Sequence, residues 1–177
     1  MNKAILGWEL AGTVWILLLG SILHSALAKF DYWLPLTFVA PVNESIWEHF
    51  KIVLWPAVLF GWLQSRFIQP KQWLAIKSCS ILIMPLTISL MFYGYTWFTL
   101  ENYLIVDISL FVVSVILSQS INYCLFTGLI KWHGFMKLAP YGLIILLILT
   151  LIFSHYPPHI GIFEHSNSGH YGPWYGN

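Results

Sequence analysis

Residues 103–128 read YLIVDISLFVVSVILSQSINYCLFTG. Asp107 is the only charged residue in that run. About 20 mostly apolar residues, rising 1.5 Å each, cross the hydrocarbon core of a bilayer. The segment therefore reads as a membrane span. Four more stretches qualify or nearly qualify: 5–28, 46–67, 72–98 and 138–154, the last short but without internal charge. The linkers 29–45, 68–71, 99–102 and 129–137 carry polar residues, Pro or Gly. The expected fold is all-α: a polytopic membrane bundle of five transmembrane helices over residues 1–154. A Pro-, Gly-, His- and aromatic-rich tail, 155–177, is expected to pack on its outer face.

Composition agrees. Of 177 residues, 58% are hydrophobic and 8% charged, where a soluble domain carries about 25% charged residues. The net charge of +1 and the lack of a Lys/Arg run exclude nucleic acid as a partner. Cys79 and Cys124 match no metal or redox spacing and read as small buried hydrophobes.

Orientation follows the basic residues. Lys3, Arg66, Lys71, Lys77, Lys131 and Lys137 fall on one side, Lys29 and Lys51 on the other. The positive-inside rule puts the N-terminus in the cytoplasm and the C-terminus outside. Residues 1–28 imitate a secretory signal ending in Ala26-Leu27-Ala28, but the run is long and contains Glu9, which argues for retention. Trp33, Trp47, Trp73, Trp97 and Trp132 lie near span ends, as interfacial aromatics do. Pro56 and Pro85 should kink spans two and three. Lys77 can snorkel, Glu9 can pair with Lys3 or Lys77, and His133 reads as a solvated loop residue. Ser114, Ser118, Gln119 and Asn122 read as interhelical hydrogen-bond glue.

With that topology, six of the seven Asp/Glu and six of the seven His lie toward the outer face. His24 ends span one, and Glu48, His49 and Lys51 open span two. Asp107 is a turn into span four, and His155 closes span five. Ionisable groups within spans face the bundle interior or a wet cavity, so these are expected to meet in one outward-facing pocket. Ser45-Ile-Trp-Glu48 is a capping box, with Ser45 as the cap. Glu44 and His49 stand where an apolar staple is usual and can form a polar pair instead. The sequon Asn43-Glu-Ser45 abuts the membrane and is discounted. In His155-Tyr-Pro-Pro-His159 a rigid turn can fold His159 back over the end of span five. Ile160, Ile162, Phe163, Tyr171, Trp174 and Tyr175 give the tail too many apolar and aromatic groups for a disordered terminus.

The block Asn43-Glu-Ser-Ile-Trp-Glu-His-Phe-Lys51, followed by Pro56, resembles the signature of a family of small bacterial membrane proteins of unknown function. The Pro-Pro-His159 turn and Gly-His-Tyr-Gly172 resemble that family's C-terminal pattern. The resemblance implies the architecture, a bacterial cytoplasmic membrane and the place of the site, but no reaction. A looser similarity, by analogy, is to membrane hydrolases of the alkaline ceramidase type, which gather Ser, Asp and His around zinc. Ser21-Ile-Leu-His24 and Asp107 resemble that arrangement. Five spans rather than seven, and no terminal helical His pair, depart from it.

Three functions compete. The first is a metal-dependent hydrolase acting on a lipid or lipid-linked substrate. Zinc would be held by His24, His49 and His155 with Asp107 or His159 as a fourth ligand, and Glu48 or Glu44 would serve as general base. No organic cofactor is expected. The second is a cation- or proton-linked transporter using the same groups. The third is a non-catalytic membrane subunit or assembly factor. Membrane lipids are the expected partners, and the oligomeric state stays open.

Overall fold

A computed structural model describes residues 2–173 apart from 70, 132 and 167. The expectations for Trp132, Trp174 and Tyr175 fall outside the described residues. Those described form six α-helices: α1 (Asn2–His24), α2 (Ala26–Lys29), α3 (Ile46–Ser65), α4 (Trp73–Thr99), α5 (Leu104–Thr127) and α6 (Ala139–Phe153). Short 3-10 turns cover Leu34–Phe38, Gly134–Leu138 and Gly161–Phe163. The described residues contain no strand, only an isolated bridge between Glu164 and Tyr171.

Four helical segments are long and apolar enough to cross a membrane: Lys3–His24, Trp73–Thr99, Leu104–Thr127 and Gly134–Phe153. By length and composition this is a membrane protein. The first ends at His24, short of the expected residue 28, where Ser25 interrupts the helix. Helix α3 is long enough at 20 residues but less apolar, with Glu48, His49, Lys51 and Gln64 along it. It can carry them because it is the centre of the bundle. Val53, Leu54, Ala57 and Phe60 are buried, and α3 packs on α1, α4 and α6. Helix α1 packs on α3 and α5, and α4 on α5 and α6.

Two glycines set the close approach of α1. A Cβ at Gly20 would lie 2.5 Å from the Ile52 carbonyl oxygen and 2.8 Å from the Phe111 ring. Pro56 has no N–H to offer Ile52, four residues earlier, so that carbonyl is free of its helical bond. It abuts the bare Gly20 backbone, a small-residue contact of the kind that lets membrane helices pack closely. At Gly12, a Cβ would overlap the Gln119 amide and stand 2.7 Å from Phe60.

The N-terminus of α3 forms half of the expected capping box. Ser45 Oγ accepts from Glu48 N at 3.3 Å. Glu48 does not reach back to the Ser45 amide. That amide donates to Asn43 Oδ1 at 2.9 Å, and the Glu48 carboxylate accepts from Val42 N instead.

At the end of the bundle that holds the start of α1, Lys77 does not snorkel. It is buried and donates to Glu9 Oε2 at 3.1 Å. Asn122 Nδ2 donates to the same oxygen at 2.6 Å, and Gln64 Nε2 to Oε1 at 2.8 Å. Ser80 Oγ donates to Asn122 Oδ1, and Ser118 Oγ to the Ser80 carbonyl. One carboxylate thus joins α1, α3, α4 and α5. Trp47 is not interfacial. It is buried against Phe50, Phe153 and the tail residue Phe163.

Candidate metal centre

The last residue of α1, the residue before the α3 cap and the first turn of α3 come together at the opposite end of the bundle. His24, Glu44 and His49 are the described residues whose ligand atoms converge closely enough to hold a metal ion. His24 Nε2 lies 3.2 Å from His49 Nε2 and 3.5 Å from Glu44 Oε2. His49 Nε2 lies 3.4 Å from the same oxygen. Their side chains are 41%, 46% and 23% exposed in chain order, so water reaches the group.

The backbone fixes the chemistry of His49. Its Nδ1 sits 2.7 Å from the Ser45 carbonyl. A carbonyl oxygen only accepts, so Nδ1 carries the hydrogen. In the neutral ring Nε2 then keeps its lone pair, aimed at the centre of the group. A metal-binding histidine is held by such an outer hydrogen bond.

The spacing has a meaning of its own. Hydrogen bonds between an imidazolium and a carboxylate run about 2.7–2.9 Å, and these contacts are longer. Ligand atoms bound tetrahedrally at about 2.0–2.1 Å stand roughly 3.3–3.4 Å apart. All three edges of this triangle fall close to that length. When the rings carry a second proton, His24 and His49 hold the Glu44 carboxyl well below the usual carboxylate range; when they are neutral, an ordinary carboxylate at neutral pH is still ionised and available as a ligand.

The loop that carries Glu44 is pinned from both sides. Asn43 Oδ1 accepts from Ser45 N, and its Nδ2 donates to the Gly172 carbonyl at 2.9 Å. Ser166 Oγ donates to the Glu44 carbonyl at 3.1 Å. The tail therefore braces the loop from outside.

The remaining candidates are engaged elsewhere. Both Glu48 oxygens are taken: Lys51 Nζ at 2.7 Å and Val42 N share one, and Ser154 Oγ donates to the other. Lys51 spends its other two hydrogens on the Thr37 and Ala40 carbonyls. A carboxylate so saturated and buried is a structural hub, with little room to take a proton from water. Asp107 accepts from Tyr95 Oη at 2.5 Å. His155 Nε2 lies 3.3 Å from Thr37 Oγ1, its ring against Phe38. His159 packs on Tyr171. The structure thus brings His24 and His49 together and adds Glu44, while Asp107, His155 and His159 stand outside the group. The bracing by Gly172 and Ser166 had no signal in the sequence, because those contacts join residues more than 100 apart.

A family model covers residues 1–173: the family of unknown function DUF6512. The chain belongs to it. No curated protein matches the chain, and no solved structure does. Membership in DUF6512 spans nearly the whole length and assigns no reaction, so the functional argument rests on the geometry above.

Proposed function

We propose that this is a metal-dependent hydrolase of the bacterial cytoplasmic membrane. It crosses the bilayer five times, with its N-terminus inside and C-terminus outside. His24, Glu44 and His49 hold a divalent ion, zinc by its donor set, at the outer face. The observation that carries this reading is the triangle of 3.2, 3.4 and 3.5 Å edges between three ligand atoms, with one imidazole already set in the binding tautomer.

Two histidines and a glutamate are a ligand set of catalytic zinc sites, which keep a fourth position for water. Zinc lowers the pKa of such a water to about 7 and so supplies a nucleophile at neutral pH. This chain's residues orient the ion: the Ser45 carbonyl fixes His49, and Asn43 fixes the Glu44 loop. The substrate is a lipid or lipid-linked molecule, because the group opens beside the outer ends of apolar helices. A transport reading has less support. Among the described residues, buried Ile16, Leu54, Ala57, Met84 and Val115 fill the middle of the bundle, and the buried hydroxyls beside them, Ser114 and Thr150, donate to carbonyls of their own helices.

The test is elemental analysis of protein purified in mild detergent without chelator, then equilibrated with micromolar zinc. Near-stoichiometric zinc in the wild type, lost in folded Glu44→Gln and His49→Ala variants, is expected. No zinc in the wild type after equilibration refutes the metal reading.

A further inference from the structure

The segment between α1 and α3 presents the wrong face for a loop in water. Phe30, Trp33 and Leu34 are 63%, 62% and 58% exposed, and Tyr32 and Phe38 are exposed as well. These side chains are not splayed by a slack chain, because the backbone beneath them is fixed. Phe30 N donates to Ala26 O, Tyr32 N to Leu27 O, and Ala40 N to Leu36 O at 2.8 Å. Ala26, Leu27, Ala40 and Val42 form a small buried core under the segment. The buried Lys51 ammonium clamps the Thr37 and Ala40 carbonyls. Asp31 and Tyr32 both take positive φ, 47° and 54°. That conformation is uncommon without glycine, and here it turns Phe30 and Trp33 outward on a rigid base.

The place in the chain decides what covers this face. Helix α1 is 23 residues long, about 35 Å at 1.5 Å per residue, enough to cross the hydrocarbon core. Only Ser25 separates its end from α2, so the segment begins at the outer boundary of the bilayer. Lys29 suits the headgroup layer, and Trp and Tyr are the residues favoured at that depth. A second protein would have to dock where the bilayer already stands.

The geometry points to residues 29–38 being an outer-leaflet insertion, with Phe30, Trp33, Leu34 and Phe38 seated among the upper acyl chains of phospholipids. This rests on the reading of α1 as a span, and it deepens the substrate assignment. The segment is tied through Lys51 to the first turns of α3, two residues beyond His49. A lipid beside Trp33 could then present its headgroup to His24, Glu44 and His49 without leaving the leaflet.

The test uses the full chain with Cys79→Ser and Cys124→Ser, in phosphatidylcholine–phosphatidylglycerol vesicles. A single cysteine is placed by Leu34→Cys, Leu117→Cys or Ser168→Cys and labelled with an environment-sensitive fluorophore. Leu117 is exposed mid-way along α5 and reports the span, while Ser168 in the tail reports water. The expected result is a blue-shifted Leu34→Cys signal, quenched by lipids spin-labelled high on the acyl chain, and at least threefold less sensitive to aqueous iodide than Ser168→Cys. Iodide quenching equal to Ser168→Cys, with Leu117→Cys still lipid-quenched, overturns the insertion and leaves the span reading intact. Protection from both quenchers means a protein contact and overturns it too. If Leu117→Cys is not lipid-quenched, the span reading falls and the insertion with it.

Discussion

Gly20→Ala should reach the proposed metal centre without touching it. On α1, Gly20 and His24 are four residues apart, and on α3, Ile52 and His49 are three apart. Both spacings keep a pair on one helix face. The Gly20–Ile52 contact therefore lies one turn below the two imidazoles. The new Cβ would stand 2.5 Å from the Ile52 oxygen, whereas ordinary contact begins at 3.4 Å. A backbone oxygen cannot rotate away, so α1 and α3 must part by roughly 0.5–0.9 Å, an overpacking that costs about 1–3 kcal/mol. Carried up one turn, the His24–His49 edge of 3.2 Å opens toward about 4 Å, well past the ±0.2 Å that a metal site tolerates. Zinc affinity should fall at least about tenfold, the scale seen when ligand positioning is lost. The assay is zinc titration against a competing chelator, paired with unfolding in detergent. The control is Gly7→Ala on the same helix, where a Cβ meets nothing within 4 Å. Wild-type zinc affinity in Gly20→Ala, or an equal loss in Gly7→Ala, would refute the reasoning.

Three further outcomes are expected. Lys77→Met strands the Glu9 carboxylate and should cost about 3–5 kcal/mol in detergent unfolding, while Glu9→Gln with Lys77→Met should recover most of that. A single variant as stable as the wild type would show that the pair contributes little. The Glu44 carboxyl is held below its ordinary value of 4.5, so the stabilisation it gives metal-free protein is complete above that pH and is lost as pH falls toward the folded value. The difference between wild type and Glu44→Gln, followed by thermal unfolding, should be retained at pH 6 and shrink below 4.5. A difference growing on acidification would contradict the sign. Asn43→Ala removes the bond to Gly172 and leaves the Ser45 amide without its acceptor, costing about 1–3 kcal/mol. Hydrogen exchange should quicken in residues 163–172, and unchanged exchange would show that the tail is held by other contacts.

What could be read from the sequence was mostly local. The apolar runs located the long helices because a lipid-facing helix must be apolar around its circumference. That logic weakened at α3, where neighbours replace lipid and Glu48, Lys51 and Gln64 are allowed inside. The block at 43–51 contains Glu44 and His49, which the structure brings beside His24, because cap, loop and first turn are contiguous. The assignment of roles within it depended on rotation about α3. His49 faces α1, and Glu48, one position away, turns inward to Lys51 and Ser154. A single sequence carries no measure of that rotation. The same gap separates Asp107 and His155 from the group: each shares its depth but points at its own partner, Tyr95 or Thr37.

The two buried Lys–Glu pairs, Glu9–Lys77 at one end and Glu48–Lys51 at the other, have a consequence for motion. A carrier that alternates access must let its halves rock apart, first on one side and then on the other. Here one end is fastened by the Glu9–Lys77 pair between α1 and α4, whose loss costs about 3–5 kcal/mol, and at the other the Glu48–Lys51 pair within α3 is tied outward to Ser154 and to the Thr37 and Ala40 carbonyls. Forms open at the Glu9–Lys77 end would then make up no more than about one molecule in a hundred to one in a few thousand. A bundle tied in this way at both ends resists rocking and holds the side chains at its rims still.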